Sequence, residues 1–348
     1  MKHTNLSCKI ITLVVCAAML LGLNACGSSE AKYQTEAMGT VVTATAYGKT
    51  GDAAVKAACS VFSAMGTMLD PESENSVVYD LNNASGASVV VPGQIIDMLN
   101  TAKTVYEKTD GALDFTVYPL LRLWGFNDGN YRKPSDDDIA LAREKLCFED
   151  IKTESFTATG TNTVALPAGA GISFNAAARG CAADNAVKAM VNAGAESGII
   201  SMPGCVKTLG VKPDGSDWTV AVQNPDDSSS AIGYLTVGQT AVSTSGGYTQ
   251  SFTYADGSVY GHIIDPSTGY SVEGDLKSVT VICEDATLAD CLSTALFVLG
   301  RSAALNYWRA EGGFQLIMVT TSGQVLCTSG LTESFKLNSA DYTLSYTE

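Results

Sequence analysis

The chain has 348 residues, with 36 acidic against 21 basic side chains and a formal net charge of −15. No Lys/Arg cluster follows the first residues, which excludes the phosphate neutralisation on which nucleic-acid binding rests, so no nucleic-acid partner is expected. An anionic ligand on so acidic a chain needs a metal ion to offset its charge.

Lys2 and Lys9 precede an apolar run from Ile10 to Leu23, the layout of a secretory signal. The run is short for a membrane span of about 20 residues. It ends in Leu23-Asn24-Ala25-Cys26, which resembles a bacterial lipobox. Residues 1–25 are read as a lipoprotein signal peptide, Cys26 as the lipidated first residue, and 26–37 as a polar tether. The body then lies outside the cytoplasm, periplasmic or on the outer face, held to the cell membrane. An ordinary signal peptide or an uncleaved anchor is the alternative. The remaining 323 residues suffice for one large domain, 38–348, because no linker is long enough to separate two. Eight of the ten cysteines follow the signal, none in a C-x-x-C pair, and their apolar settings suit buried thiols rather than a zinc site or disulfide framework.

Residues 41–47 alternate β-branched and small side chains and read as a strand. Segments 52–68 and 92–108 repeat apolar residues three and four apart, the spacing of helices, and a further helix is read at 184–193. Short strands with Gly-rich turns follow at 199–201, 206–211, 218–223, 234–237 and 240–242, then near 261–264 and 278–283. A helix over 286–299, ending at Gly300, and strands near 314–320 and 324–329 close the chain. This order predicts an α+β fold with a largely antiparallel sheet.

Outside the signal, which holds His3, His262 is the only imidazole. It sits where a strand runs into the turn Asp265-Pro266-Ser267-Thr268-Gly269, a rim position from which a side chain reaches a cleft. It is a candidate general base, or a structural residue holding that turn. In the helix after Asp285, Asp290, Ser293 and Thr294 are three and four apart, so one face presents a carboxylate and two hydroxyls. Such oxygen ligands suit a hard cation such as Mg²⁺; local hydrogen bonding explains the same pattern without one. Two more stretches are rich in glycine and hydroxyls: 109–126, which begins where a helix ends, and Ser243-Thr244-Ser245-Gly246-Gly247-Tyr248. The second is read as a join between strands in which Thr244 and Ser245 hold phosphate as a nest.

In chain order, Met38-Gly39-Thr40, the Ser76 to Asn82 segment, TDGALDFTVYPLLRLWGF, GISFNAAARG followed by Asp184, KPDGSDW with QNPDD, STSGGY, HIIDPSTGY and DCLSTALFVLG together resemble the ApbE family of FAD:protein FMN transferases. The likeness covers nearly the whole mature chain. It implies an ApbE-like (T-fold-related) α+β architecture, a single large domain with a mostly antiparallel sheet and packed helices. It implies Mg²⁺ held by Asp290, Thr294 and the main-chain carbonyl of Ala176, with Ser293 where some members place a second Asp. Flavin contacts are implied at Met38, at Ala112, Leu113 and Asp114, along Ser173 to Arg179, and at Ile264. Ser173 stands where the family usually has Asp, Arg179 where Lys is common, Pro203-Gly204 replaces a usual Gly-Gly pair, and Glu72 falls near a position that can be aromatic.

The implied reaction is attack by a Thr or Ser hydroxyl of a target flavoprotein on the FMN-side phosphorus of FAD, releasing AMP. The implied partners are FAD, a respiratory-complex subunit or FMN-binding domain as target, and the membrane through Cys26. His262 is the available base, with an ionisation expected in the histidine range. Hydrolysis of FAD to FMN and AMP, and flavin binding without turnover, are the competing expectations.

Overall fold

The computed structural model describes residues 29–347, so the signal segment and Cys26 lie outside the described residues. Strands β1 (Glu30–Ala37) and β2 (Thr40–Tyr47) pair antiparallel from Glu30↔Tyr47 to Ala37↔Thr40. The two residues between them, Met38 and Gly39, have φ of +54° and +72°. Positive φ at both centres is the type I′ turn, whose twist matches paired strands. Residues 30–37 are thus not a tether, as the sequence suggested, but an edge strand. Their alternation is masked because most of the strand is exposed, only Ala31 and Ala37 packing on the core.

The chain continues through α1 (Gly51–Leu69), α2 (Val77–Asn83), β3 (Val89–Val91) and α3 (Gly93–Lys108). A 3-10 turn at Phe115–Val117 leads to α4 (Tyr118–Trp124), α5 (Asp136–Arg143), β4 (Lys152–Phe156), β5 (Thr161–Ala165) and α6 (Ala178–Asn192). Then come β6 (Gly198–Met202), β7 (Cys205–Leu209), β8 (Trp218–Asn224), β9 (Asp227–Val237), β10 (Ala241–Gly246), β11 (Ser251–Thr253) and β12 (Val259–Gly261). Last are β13 (Leu276–Cys283), α7 (Ala286–Glu311), β14 (Gln315–Thr320), β15 (Gln324–Thr328), β16 (Phe335–Leu337) and β17 (Thr343–Thr347).

A nine-stranded sheet in the order β1-β2-β6-β7-β10-β13-β14-β15-β17 organises the molecule, antiparallel at every pairing except β15–β17. Its faces are set by period-two alternation. Val279 and Val281 of β13 enter the main core with Phe62 of α1 and Leu292 and Leu296 of α7. Val242 and Ile282 face the other way, into a second core closed by the small sheet β16-β9-β8. A third cluster, Leu120, Trp124, Ile139, Tyr260 and Ile264, supports the loop that carries His262. The fold is therefore α+β with a mostly antiparallel sheet, as expected.

Two helices depart from the sequence reading. Helix α6 begins six residues before 184 and includes Gly180, a packing glycine: a Cβ there would sit 2.0 Å from the carbonyl oxygen of Ala286. Gly300 does interrupt α7, with φ 75° and ψ 170°, but helix resumes beyond it to Glu311.

Candidate functional site

Asp285 caps α7, its side chain accepting from the Leu288 amide at 2.8 Å, and one turn later Asp290 is directed inward with 1 % of its surface exposed. Its Oδ1 accepts from Ser243 Oγ at 2.8 Å and its Oδ2 from the Gly180 amide at 3.0 Å. No Lys or Arg forms an ion pair with it among the described residues. Ser245 Oγ lies 2.8 Å from Ser293 Oγ and 2.9 Å from Thr294 Oγ1. Strand β10 and helix α7 so bring five oxygen-bearing side chains together: Ser243, Ser245, Asp290, Ser293 and Thr294.

The loop before α6 reaches the same place. Asn82 fixes it: the side-chain amide donates to the Ile172 carbonyl at 3.1 Å, and Oδ1 accepts from the Ile172 amide at 2.6 Å. The Ser173 amide donates to the Phe115 carbonyl at 2.8 Å, tying this loop to the 109–117 segment. Because the Gly180 amide is committed to Asp290, it does not close a turn onto Ala176, whose carbonyl accepts no hydrogen bond among the described residues. A buried carboxylate without a cationic partner is costly. The neutral hydroxyls grouped with Asp290, and a carbonyl such as that of Ala176, are the donor types a hard cation takes. The residues present therefore fit Mg²⁺. With a single carboxylate they cannot by themselves neutralise a divalent ion.

The STSGGY reading needs correction. Ser243 to Gly246 are not a join between strands but β10 itself, and alternation sends Ser243 and Ser245 to α7 while Thr244 faces away. Thr244 Oγ1 lies 2.9 Å from Thr280 Oγ1 and its amide donates to the Gly204 carbonyl, so neither is free for phosphate. A run of paired strand residues cannot form a nest.

The flavin-contact candidates are positioned by different elements. Met38 occupies the β1–β2 turn against Gly66 of α1. Leu113 is buried, and Asp114 caps the 3-10 turn, its Oδ1 accepting from Thr116 N and Thr116 Oγ1, each at 2.6 Å. Burial raises the Asp114 pKa, and the two Thr116 bonds oppose that shift. Ser173 is buried, and Arg179 reaches from α6 to donate to the Pro203 carbonyl at 3.4 Å. Ile264 bridges Ser271 and rests in the third cluster.

His262 follows β12, with Phe126 edge-on at a centroid distance of 6.5 Å. The Gln250 carbonyl lies 3.3 Å from Nδ1 and also accepts the His262 amide at 2.9 Å. An acceptor there assigns the proton to Nδ1 and leaves Nε2 with a free lone pair. Desolvation, then the Arg179 guanidinium, push the imidazole pKa down to about 4, against the pull of the Gln250 carbonyl. The ionisation expected in the ordinary histidine range is therefore displaced downward.

This shift predicts a pH dependence of stability. Between about 6.5 and about 4 the unfolded imidazole takes a proton and the native one does not. Stability then falls as pH drops through that window, by on the order of 3 kcal/mol. Denaturant melts of wild type and His262→Asn between pH 7 and 4 check it: the variant should lose that part of the slope.

Sequence reasoning marked the segments holding Ser243, Asn82 and Gly180 but gave these residues no structural role, because their partners lie far away in the chain. Burial raises the pKa of the Cys181 and Cys283 thiols to about 12 and pushes those of Cys205 and Cys291 well up, so these four stay protonated at neutral pH.

Residues 38–318 match the family model described as the ApbE family. The FAD:protein FMN transferase of Escherichia coli K12 is 30 % identical over 260 residues, covering 74 % of this chain and 73 % of that protein. The FAD:protein FMN transferase of Treponema pallidum is 26 % identical over 97 % of this chain and 99 % of its own length. Among solved structures, the Thermotoga maritima ApbE protein superposes with a TM-score of 0.76 at 30 % identity, covering 85 % of this chain and 96 % of that one. The apo flavinyl transferase ApbE of Pseudomonas stutzeri gives 0.76 at 26 % identity, over 90 % and 98 %. A family match across most of the chain, joined to the same fold and the oxygen cluster on α7, makes this protein a member of the ApbE family.

Proposed function

We propose that the protein transfers the FMN moiety of FAD onto a Thr or Ser hydroxyl of a target flavoprotein and releases AMP. The observation that carries this reading is Asp290, buried without an ionic partner and grouped with the hydroxyls of Ser243, Ser245, Ser293 and Thr294. Asp290, Thr294, Ser293 and Ala176 are the residues to hold Mg²⁺. An ion held there would supply positive charge to offset the diphosphate and the departing AMP.

The rest falls to the chain itself. Arg179 supplies a cation beside His262 to pair with the diphosphate, and the segment from Ala112 to Asp114, with Met38, Ser173 and Ile264, orients the flavin half. His262 Nε2 takes the proton of the acceptor hydroxyl as its oxygen bonds to the FMN-side phosphorus. The phosphorus–oxygen bond to AMP breaks, with the phosphorus displaced in line. A diphosphate paired with Arg179 offsets that guanidinium's share of the imidazole's depression, while the larger share, from burial, remains. Incubation with FAD, Mg²⁺ and a candidate acceptor domain tests the reading: a mass gain on the acceptor supports it, while free FMN alone, or intact bound FAD, rejects it.

The anchor belongs to the same proposal, with residues 1–25 as signal, Cys26 as the lipidated residue and the transferase domain beginning with β1 at Glu30. Cys26→Ser is expected to move the protein from the membrane fraction to the soluble one, read by immunoblot of fractionated cells. Wild-type protein recovered soluble with an intact N-terminus contradicts the anchor.

A further inference from the structure

The proposed cation-holding residues come from two places: Ala176 lies in the loop that feeds α6, and Asp290, Ser293 and Thr294 belong to α7. Gly180 and Asp184, four apart on one face of α6, meet α7 at two successive levels. At the first, Gly180 brings the backbones together and donates to Asp290 Oδ2. At the second, Asp184 Oδ2 accepts from the Thr287 amide and the Thr287 hydroxyl, both at 2.9 Å, and Oδ1 accepts from the Ala286 amide at 3.2 Å.

Those amides open α7, where a carboxylate also meets the positive end of the helix dipole. Asp285 satisfies the next amide from within α7, so two carboxylates stand side by side. Lys207 of β7 offsets them: its Nζ lies 3.1 Å from Asp184 Oδ1 and donates to the Glu284 carbonyl, and its side chain is mostly buried. Burial, and after it the charge of Asp184, raise the Asp285 pKa, with Lys207 opposing. None of these groups belongs to the cation-holding set, yet together they fix how α6 sits on α7.

We propose that Asp184, backed by Lys207, is a positioning residue that locks α7 onto α6, so that the Asp290 carboxylate and the Ala176 carbonyl stand ready-placed for one divalent cation. This rests on the metal reading above. A carboxylate that organises ligands from outside the coordination shell typically changes metal affinity by about 10- to 100-fold when altered.

The test is Mn²⁺ binding to the full chain without FAD, followed by the EPR signal of free Mn²⁺, with melting temperature on the same samples. Asp184→Asn keeps the shape but loses the charge and one acceptor; affinity should fall by about tenfold or more. Thr287→Val removes one of the contacts on Asp184 and should give a smaller loss in the same direction. It serves as the readout should Asp184→Asn fail to fold. Asp184→Glu should recover part of the affinity. Ile232→Val, in the second core, lowers stability without touching α6 or α7 and should leave Mn²⁺ affinity unchanged. Wild-type affinity retained in Asp184→Asn, or in Thr287→Val where the first variant does not fold, overturns this proposal alone. A matching loss in Ile232→Val overturns it too, by making the effect one of general stability. A wild-type chain that takes up no Mn²⁺, either alone or with FAD added, overturns the metal reading and this proposal together.

Discussion

Replacing Asp290 by alanine is expected to cost about a thousandfold in flavin transfer, the several kcal/mol that a metal-assisted phosphoryl step draws from its ion. Asp290 is the only carboxylate in the cluster, and the hydroxyls of Ser293 and Thr294 cannot hold a hard cation alone. Alanine also strips Ser243 Oγ and the Gly180 amide of their acceptor. Asp290→Asn is therefore the cleaner variant, since it conserves shape and an acceptor while removing charge. Both should show the loss, and raising Mg²⁺ should not restore the rate. Thr294→Val should be milder, on the order of tenfold, because it removes a neutral ligand. Rates of AMP release across a Mg²⁺ titration measure all three; an unchanged rate in either Asp290 variant removes the metal assignment.

His262→Asn should lower the transfer rate on the order of a hundredfold or more, the usual scale for losing a general base. No second imidazole exists among the described residues to replace it. With its pKa held near 4, the free protein's imidazole is already neutral at pH 7. The dependence of kcat/KM on pH should thus be flat near 6.5 and fall only on the acid side, a limb that the variant loses. Asparagine can still donate toward the Gln250 carbonyl, which preserves the turn. FAD affinity and melting temperature at neutral pH should accordingly change little. Transfer retained at saturating FAD rejects the base; loss of FAD affinity first assigns His262 to holding the Asp265-Pro266 turn.

Local periodicity made much of this molecule readable. Helices α1 and α3 follow apolar spacing and match their expected spans to within a residue or so. The face formed by Asp290, Ser293 and Thr294 is a property of one helix and needs no tertiary knowledge. What could not be read depends on contacts distant in the chain. The polar run Glu30 to Ala37 becomes a strand only because β2 offers it a full-length partner. The direction of Thr244 depends on the register of β10 against β13, where Thr244 faces Thr280. The bond from Ser243 to Asp290 needs that same register, and Gly180 is understandable only once α7 lies against it. Depression of the His262 pKa arises first from burial and then from Arg179, a neighbour the sequence places far upstream.

The central claim is that a protein hydroxyl, not water, attacks the FMN-side phosphorus of FAD. It is tested most directly by measuring AMP release and the intact mass of the acceptor domain in the same reaction, with the acceptor Thr present or changed to Val. The account predicts AMP equal to FMN gained by the acceptor, and neither product with the Val acceptor. AMP released together with free FMN at the same rate from both acceptors would contradict it.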